Sequence, residues 1–247
     1  MRKKILITGA SRGIGKATAL RLADNGYDLF LTCSKTMGDL EAVKKEIEEN
    51  AAKAGYTVNV ETYCCDVKDK EAVKAMCKDI IVKGGVYGII NNAAVSRIEL
   101  MTDMSYEEWD EVIDTNLNSV FYVTHELVPM MIGKKEGRII NISSVWGNVG
   151  ASMEVAYSAA KGGVNAFTRA LAKELAPSNV QVNAVAFGCI DTAMNKCFSE
   201  EDLEVLRQEI PADRIGTSDE AAQMILNVLE GPEYLTGQII TMDGGWI

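Results

Sequence analysis

The sequence predicts an α/β fold in which a doubly wound sheet of seven parallel strands is covered by helices on both faces. Short apolar runs alternate with amphipathic helical stretches along the whole chain, and this alternation is typical of a parallel sheet. The runs are apolar at successive positions, as strands buried on both faces are. The chain has 247 residues and no Pro/Ser-rich linker, so we expect a single domain over residues 1–247.

The predicted elements alternate between strand and helix in chain order. We predict strands at residues 5–7, 27–32, 57–65, 88–91, 138–143, 180–186 and 238–242. We predict helices at residues 14–23, 39–54, 69–82, 106–133, 157–176 and 218–229. The ligand crevice of such a sheet lies at the carboxyl ends of the strands, so functional residues are expected in the turns after them.

The amino-acid composition and the net charge disfavour several classes of function. A formal net charge of −10 disfavours nucleic-acid binding, because phosphate contacts need clustered Lys and Arg. No apolar run approaches the roughly 18 residues of a membrane helix, and the first run is too short for a signal peptide. We therefore expect a cytoplasmic protein with no membrane or nucleic-acid partner. The cysteines form no C-x-x-C pair, so no metal site is expected. We expect each cysteine to be a small buried side chain in a protein of a reducing compartment: Cys33, Cys64, Cys65, Cys77, Cys189 and Cys197.

A glycine-rich turn, residues 8–15, lies between the first strand and the first helix. Its glycines allow the backbone to turn tightly and to approach a pyrophosphate at the helix N-terminus. Two other interpretations stay open: the glycines serve only the turn, or residues 9–13 form the G-x-S-x-G nucleophile elbow of a serine hydrolase around Ser11. The elbow would need a histidine, and the chain offers only His125, in the middle of a predicted helix.

A second pattern indicates acid–base chemistry. Tyr157 and Lys161 lie one helical turn apart on one face, where an ammonium would lower the pKa of the phenol towards a catalytic range. Ser144, at the end of the preceding strand, can hydrogen-bond a substrate carbonyl. Asn116 is a polar residue within an apolar helical stretch. The alternatives are a tyrosine beside a snorkelling lysine and an asparagine on a helix surface.

Together these residues resemble the short-chain dehydrogenase/reductase superfamily, which has a Rossmann-type fold, and the resemblance spans the whole chain. The family's cofactor turn matches Thr8, Gly9, Gly13 and Gly15, and its C-terminal strand matches residues 235–245. Other motifs match the adenine-contacting pair Asp66-Val67, the N-N-A-G segment at residues 91–94, the P-G-x-x-x-T stretch at residues 187–192, and the catalytic tetrad Asn116, Ser144, Tyr157 and Lys161.

The resemblance implies a role for each matched residue. Tyr157 would be the general acid–base, Ser144 would polarise the carbonyl, Lys161 would bind the nicotinamide ribose, and Asn116 would hold a proton-relay water. The implied cofactor contacts are Thr8, Gly9, Ser11, Arg12, Gly13, Ile14, Gly15, Cys33, Ser34, Lys35, Asp66, Val67, Asn92, Ala93, Ala94, Tyr157, Lys161, Gly188, Ile190 and Thr192.

NADP(H) is the expected coenzyme. NAD-dependent relatives place an acidic residue at the end of the second strand, where it accepts hydrogen bonds from the ribose 2′-hydroxyl. Here Cys33 stands in that place, and Ser34, Lys35 and Arg12 can contact a 2′-phosphate instead. The alternative is that Arg12 and Lys35 are solvated surface charges.

Within the superfamily the likeness is to 3-oxoacyl-[acyl-carrier-protein] reductases of fatty acid biosynthesis, through residues 9–15 and 214–217. This implies reduction of a 3-oxoacyl thioester to a secondary alcohol, delivery of that substrate by acyl carrier protein, and a homotetramer assembled through the helices at residues 106–133 and 157–176. The alternatives are a free ketone or alcohol, such as a sugar, polyol or steroid, and a non-catalytic dinucleotide-binding protein. Residues 191–211, which would decide the substrate, are apolar and acidic by turns (Met194, Phe198, Leu203, Leu206) and indicate no ligand.

Three departures from the family pattern lead to further expectations. Ala94 replaces a glycine, a mild change if the backbone there avoids positive φ. Phe187 replaces a proline, which is expected to loosen or reshape the loop beside the nicotinamide. Basic residues that flank the cleft for carrier-protein docking are expected only in part, at Lys134, Lys135 and Arg138, and Ser178 stands where a second arginine is often found.

Overall fold

A computed structural model describes residues 2–194 and 199–247 of the chain. Cys197 and Phe198 lie outside the described residues. Seven strands form one sheet in the order β3-β2-β1-β4-β5-β6-β7, and every pair of neighbours is parallel. The strands are β1 (Lys4–Ile7), β2 (Asp28–Cys33), β3 (Val60–Cys64), β4 (Gly88–Asn91), β5 (Gly137–Ser144), β6 (Val180–Phe187) and β7 (Ile239–Met242). The predicted fold class is confirmed.

Helices connect the strands and cover both faces of the sheet. They are α1 (Gly13–Asp24), α2 (Met37–Ala54), α3 (Lys70–Val82), α4 (Tyr106–Ile113), α5 (Ser119–Lys134), α6 (Trp146–Val149), α7 (Val155–Leu175), α8 (Glu200–Glu209) and α9 (Ser218–Leu229). The predicted helix at residues 106–133 is in fact α4 and α5 joined by a π-helical turn at Asp114–Asn118. The helix α8 was not predicted, because all of its residues are at least partly exposed and it has no continuous apolar face.

The core consists of two apolar layers, one on each face of the sheet. Successive side chains of β1 point to opposite faces of the sheet and so contribute to both layers. Ile5 and Ile7 pack with α1, α2 and α9, whereas Leu6 packs with α3, α5 and α7. In the central strands β4, β5 and β6 every residue is therefore buried, which explains their continuous apolar runs in the sequence.

The order of the strands in the sheet determines where the ligand crevice lies. The chain leaves β1 towards β2 and β3 on one side and returns to β4 on the other, so β1 and β4 flank the point where the direction of winding reverses. Loops after these two strands diverge to opposite faces and leave a crevice at their carboxyl ends. No helix among the described residues is both long and apolar enough to cross a bilayer.

The cysteine prediction is only partly correct. Cys33, Cys65 and Cys77 are buried free thiols, as expected. Cys64 is exposed, because it ends the edge strand β3, and Cys189 is only partly buried.

Candidate active site

A cleft of about 880 Å³ runs along the carboxyl edge of the sheet. This volume lies in the upper part of the range usual for sites that bind small molecules and cofactors. Most of the predicted site residues line it: Gly9, Ser11, Arg12, Gly13, Ile14, Cys33, Ser34, Lys35, Asp66, Val67, Asn92, Ala93, Ala94, Ser144, Tyr157, Lys161, Gly188, Ile190 and Thr192. The remaining predicted residues, Thr8, Gly15 and Asn116, do not line the cleft but contact residues that do.

The glycine-rich turn is shaped by close backbone contacts. Gly9 has a φ of +66°, a left-handed conformation that favours glycine, and a Cβ there would lie 2.9 Å from the Cα of Ala93. A Cβ at Gly15 would lie 2.2 Å from the carbonyl oxygen of Gly9. The turn therefore packs directly on the first turn of α1, and a side chain at either position would push the two apart.

The loop after β4 holds this turn in place. The Thr8 hydroxyl accepts hydrogen bonds from the backbone N–H groups of Asn92 and Ala93, both at 3.0 Å. The Asn92 amide nitrogen donates to the carbonyl oxygens of Thr8 and Gly9, at 2.9 and 3.0 Å. The hydroxyl of Thr8 thus helps to position Gly9, and its contact with a cofactor stays a prediction.

The structure offers a concave cradle for a pyrophosphate at this turn. At the start of α1, Arg12 occupies the N-cap position and its side chain makes no capping hydrogen bond. The first N–H groups of the helix therefore have no capping side chain and face the cleft that Ser11, Gly13 and Ile14 line. The residues present fit a dinucleotide.

The chemical groups lie at the ends of β5 and α7. Ser144 ends β5, and Tyr157 and Lys161 lie one turn apart near the start of α7. The Lys161 ammonium lies 5.5 Å from the centre of the Tyr157 ring and donates a 2.7 Å hydrogen bond to the carbonyl oxygen of Ile142. The backbone of β5 thus fixes the lysine beside the tyrosine, so the pair is more than a chance spacing on a helix.

Burial decides the proton affinities of this pair. It lowers the pKa of Lys161 to about 8, because the ammonium has lost most of its contact with water. It raises the pKa of the Tyr157 phenol, as does the nearby carboxylate of Glu154, whereas the Ser144 hydroxyl acts to lower it. Burial and the Glu154 charge therefore decide the direction of the shift for the phenol, and the lowering of its pKa by Lys161 stays a prediction.

Asn116 lies in the π-helical turn and is 1% exposed. Its side-chain oxygen accepts a 2.8 Å hydrogen bond from the Val95 N–H, and its amide donates a 2.7 Å bond to the Val95 carbonyl. The alternative of a surface asparagine is thereby excluded. Since both polar groups of the side chain are engaged, Asn116 fixes the loop after β4, which forms one wall of the cleft.

The hydrolase alternative finds no support at Ser11. Its hydroxyl accepts a hydrogen bond from Thr36 at 3.2 Å. His125 lies on α5 with its imidazole largely exposed, beside Glu126 and the ring of Phe121. As α5 packs on the opposite face of the sheet from α1, His125 cannot act as a base for Ser11.

The structure shows the backbone at two of the departures from the family pattern, Ala94 and Phe187. Ala94 is not among the residues with positive φ, so alanine is tolerated there. Phe187 is buried as the last residue of β6, and its carbonyl accepts a 3.0 Å hydrogen bond from the Val145 N–H. Phe187 therefore continues β6 up to Gly188, and the loosening or reshaping of the loop that follows stays a prediction.

Comparison with known proteins agrees with this geometry. A family model described as short chain dehydrogenase matches residues 3–203. The chain belongs to the short-chain dehydrogenase family. Such enzymes are oxidoreductases that act on an alcohol or carbonyl group with a nicotinamide dinucleotide.

Similar proteins span nearly the whole chain. The 3-oxoacyl-[acyl-carrier-protein] reductase FabG of Thermotoga maritima is 39% identical, over 99% of this chain and 98% of its own. The corresponding protein of Aquifex aeolicus is also 39% identical, over 98% and 96%. A solved structure from Sinorhizobium meliloti, described as a short-chain alcohol dehydrogenase, has a TM-score of 0.90 at 30% identity and covers 99% of this chain and 96% of its own.

The basic patch expected to flank the cleft of this short-chain dehydrogenase lies elsewhere. Arg138 is near the start of β5, whereas Ser144 ends that strand, so the patch lies at the opposite edge of the sheet. The guanidinium of Arg138 is buried and donates to Gln181, the Tyr87 hydroxyl and the Gly231 carbonyl. Within one chain, therefore, Lys134, Lys135 and Arg138 do not border the active site, and that expectation is wrong.

Sequence reasoning missed several residues on the substrate side of the cleft. They are Ser96, Trp146, Glu154 and Trp246. The rings of Trp146 and Trp246 meet edge to face, with centres 4.9 Å apart, although the residues are 100 positions apart in the chain. No periodicity or spacing relates such residues, since the tail after β7 brings Trp246 to the loop after β5.

Proposed function

We propose that this protein is a cytoplasmic, NADP(H)-dependent reductase that converts the ketone of a 3-oxoacyl thioester to a secondary alcohol. The observation that carries the proposal is the placement of Ser144, Tyr157 and Lys161 in the same cleft as a glycine cradle. The similarity to 3-oxoacyl-[acyl-carrier-protein] reductases over nearly the full chain supports the choice of substrate.

The cleft would hold the dinucleotide along its whole length. The turn at Gly9 and Gly13 and the start of α1 would hold the pyrophosphate, and Asp66 with Val67 would border the adenine. At the other end, the segment from Gly188 to Thr192 would contact the nicotinamide, and Lys161 its ribose. Bound in the reduced form, the nicotinamide supplies the hydride for the carbonyl carbon.

Ser144 and Tyr157 would act on the carbonyl oxygen. The Ser144 hydroxyl donates a hydrogen bond to that oxygen, which draws charge away from the carbon. The Tyr157 phenol then transfers its proton to the oxygen as charge develops there. The raised pKa of Tyr157 keeps the phenol protonated at neutral pH, and this is the form required for reduction.

Lys161 would support the proton transfer. Its ammonium, beside the Tyr157 ring, favours the phenolate that remains after the proton has left. With a pKa of about 8, most of the lysine is charged at pH 7. Asn116 would act as a positioning residue, because its side chain holds the Val95 backbone in the cleft wall.

The preference for NADP(H) is supported by the end of β2. Cys33, Ser34 and Lys35 line the cleft together with Arg12, and no carboxylate follows the strand there. A 2′-phosphate at this end would meet two cations and a hydroxyl donor, and no carboxylate of these residues would repel it.

A homotetramer is proposed from the exposed apolar side chains of α4 and α5. Phe121 is 50% exposed, and Tyr106, Trp109 and Ile132 are also exposed on these two helices. Val120, Val123 and Leu127 are buried within the chain, so the helices carry a second apolar face that suits a partner subunit. Multi-angle light scattering at micromolar concentration should give four times the chain mass; a monomer would refute the assembly.

A free ketone or sugar alcohol is the second candidate substrate. A structural neighbour from Agrobacterium tumefaciens, described as a gluconate dehydrogenase, has a TM-score of 0.89 at 28% identity and covers 99% of this chain and 95% of its own. Oxidation of NADPH should be followed with acetoacetyl thioesters, acetoacetyl-acyl carrier protein, cyclic ketones and keto sugars. Thioesters should give the highest kcat/KM. A keto sugar in first place would replace the substrate, and no turnover with any carbonyl would favour a dinucleotide-binding protein without catalysis.

A further inference from the structure

A carboxylate that the reaction does not require lies in the cleft beside the reacting groups. Glu154 precedes α7, lines the cleft and is only partly exposed. Its Oε1 accepts a 2.6 Å hydrogen bond from the Ser96 hydroxyl, and the Trp146 indole N–H faces the same carboxylate. The side chain is therefore oriented by two donors from different loops.

The fold does not explain this orientation. Glu154 occupies the N-cap position of α7, yet its side chain accepts no hydrogen bond from the N–H groups of that helix. No ion pair involves Glu154 within residues 2–194 and 199–247. Burial of a carboxylate without a cation is unfavourable, and the pKa of Glu154 is accordingly raised. The unfavourable burial of this carboxylate indicates that Glu154 has a functional role in the cleft.

The charge lies close to the point of reaction. Glu154 is three residues before Tyr157, and its negative charge raises the pKa of that phenol. The Trp146 backbone N–H also donates to the Ser144 hydroxyl, so Trp146 and Glu154 both adjoin the groups that would bind the carbonyl.

We propose that Glu154 determines substrate specificity by excluding ketones that carry a carboxylate on the carbon next to the carbonyl. A 3-oxo acid would then be reduced only when its carboxyl group is masked as a thioester or ester. This inference rests on the proposed ketone reduction. For two carboxylates held about 5–6 Å apart at an effective dielectric constant of about 20, Coulomb repulsion corresponds to a fall in kcat/KM for the anion of about 100-fold.

Acetoacetate and its methyl ester provide a matched pair of substrates, because they share the ketone and differ in one charge. The ratio of kcat/KM for acid over ester is measured with saturating reduced cofactor at pH 7. In Glu154→Gln this ratio should rise at least tenfold, since glutamine keeps an acceptor for the Ser96 hydroxyl and loses the charge. Glu154→Asp, which keeps the charge, should stay within about threefold of the wild-type ratio.

Glu107→Gln is the control for net charge. Glu107 lies in the exposed first turn of α4 and does not line the cleft, so the ratio should not change. A ratio in Glu154→Gln within threefold of wild type, with the ester still reduced, would overturn the role of Glu154 alone. An equal rise in Glu154→Asp would do the same, because shape and not charge would then be responsible. A wild-type protein that reduces neither the ester nor the thioesters would overturn both this inference and the proposed function.

Discussion

Gly15→Ala tests the cradle at the start of α1 directly. The added Cβ would lie 2.2 Å from the Gly9 carbonyl oxygen and 2.6 Å from the Asn92 amide nitrogen. Neither atom belongs to a flexible side-chain end that can move away: the first is backbone, and the second holds the Thr8 and Gly9 carbonyls. The substitution must therefore displace the turn from the helix.

The magnitude follows from two opposing effects. Overpacking against fixed atoms costs about 3 kcal/mol, the upper end of the usual range. Alanine gains about 1 kcal/mol over glycine within a helix. The net loss of about 2 kcal/mol should lower Tm by about 4–8 °C in a chain of this size.

Thermal unfolding followed by circular dichroism measures the stability, and quenching of tryptophan fluorescence measures dinucleotide affinity, since Trp146 and Trp246 line the cleft. Gly38→Ala is the matched control, because Gly38 lies in α2 with open space where its new methyl group would point, and it should not lose stability. Equal Tm values for Gly15→Ala and Gly38→Ala, with equal dinucleotide affinity, would refute the argument that the turn needs glycine at position 15.

Three further predictions concern the chemistry and the coenzyme. Tyr157→Phe should lower kcat by at least about 100-fold and leave dinucleotide affinity nearly unchanged, because only the transferred proton is lost; steady-state kinetics with near-wild-type kcat would remove Tyr157 from the mechanism. The pH profile of kcat/KM should fall as pH rises through about 8, where Lys161 loses its charge, and a flat profile to pH 10 would contradict the role of the ammonium. Arg12→Ala and Lys35→Ala should each reduce the ratio of kcat/KM for NADPH over NADH about tenfold, whereas an unchanged ratio would show that both are solvated surface charges.

Local patterns were sufficient for the fold and for most of the cleft. The strands, the glycine turn and the spacing of Tyr157 and Lys161 are set by residues close together in the chain, so periodicity and turn chemistry predict them. The end of each parallel strand lies at the same edge of the sheet, which is why Ser144 could be assigned to the crevice from the sequence, whereas Gly188 was assigned through the family resemblance. The family resemblance added the roles of these residues.

The tertiary structure decided how the groups behave. The pKa directions of Tyr157 and Lys161 depend on burial by residues distant in sequence, and helical spacing alone could not predict that burial raises the pKa of the tyrosine. Arg138 lies at the opposite edge from the cleft because strand direction, which charge counting ignores, separates the two ends of β5. The contact of Trp146 with Trp246 and of Ser96 with Glu154 joins loops that only the winding of the chain brings together. Sequence therefore determined which residues reach the cleft edge, while packing determined their charge, their partners and the substrate wall.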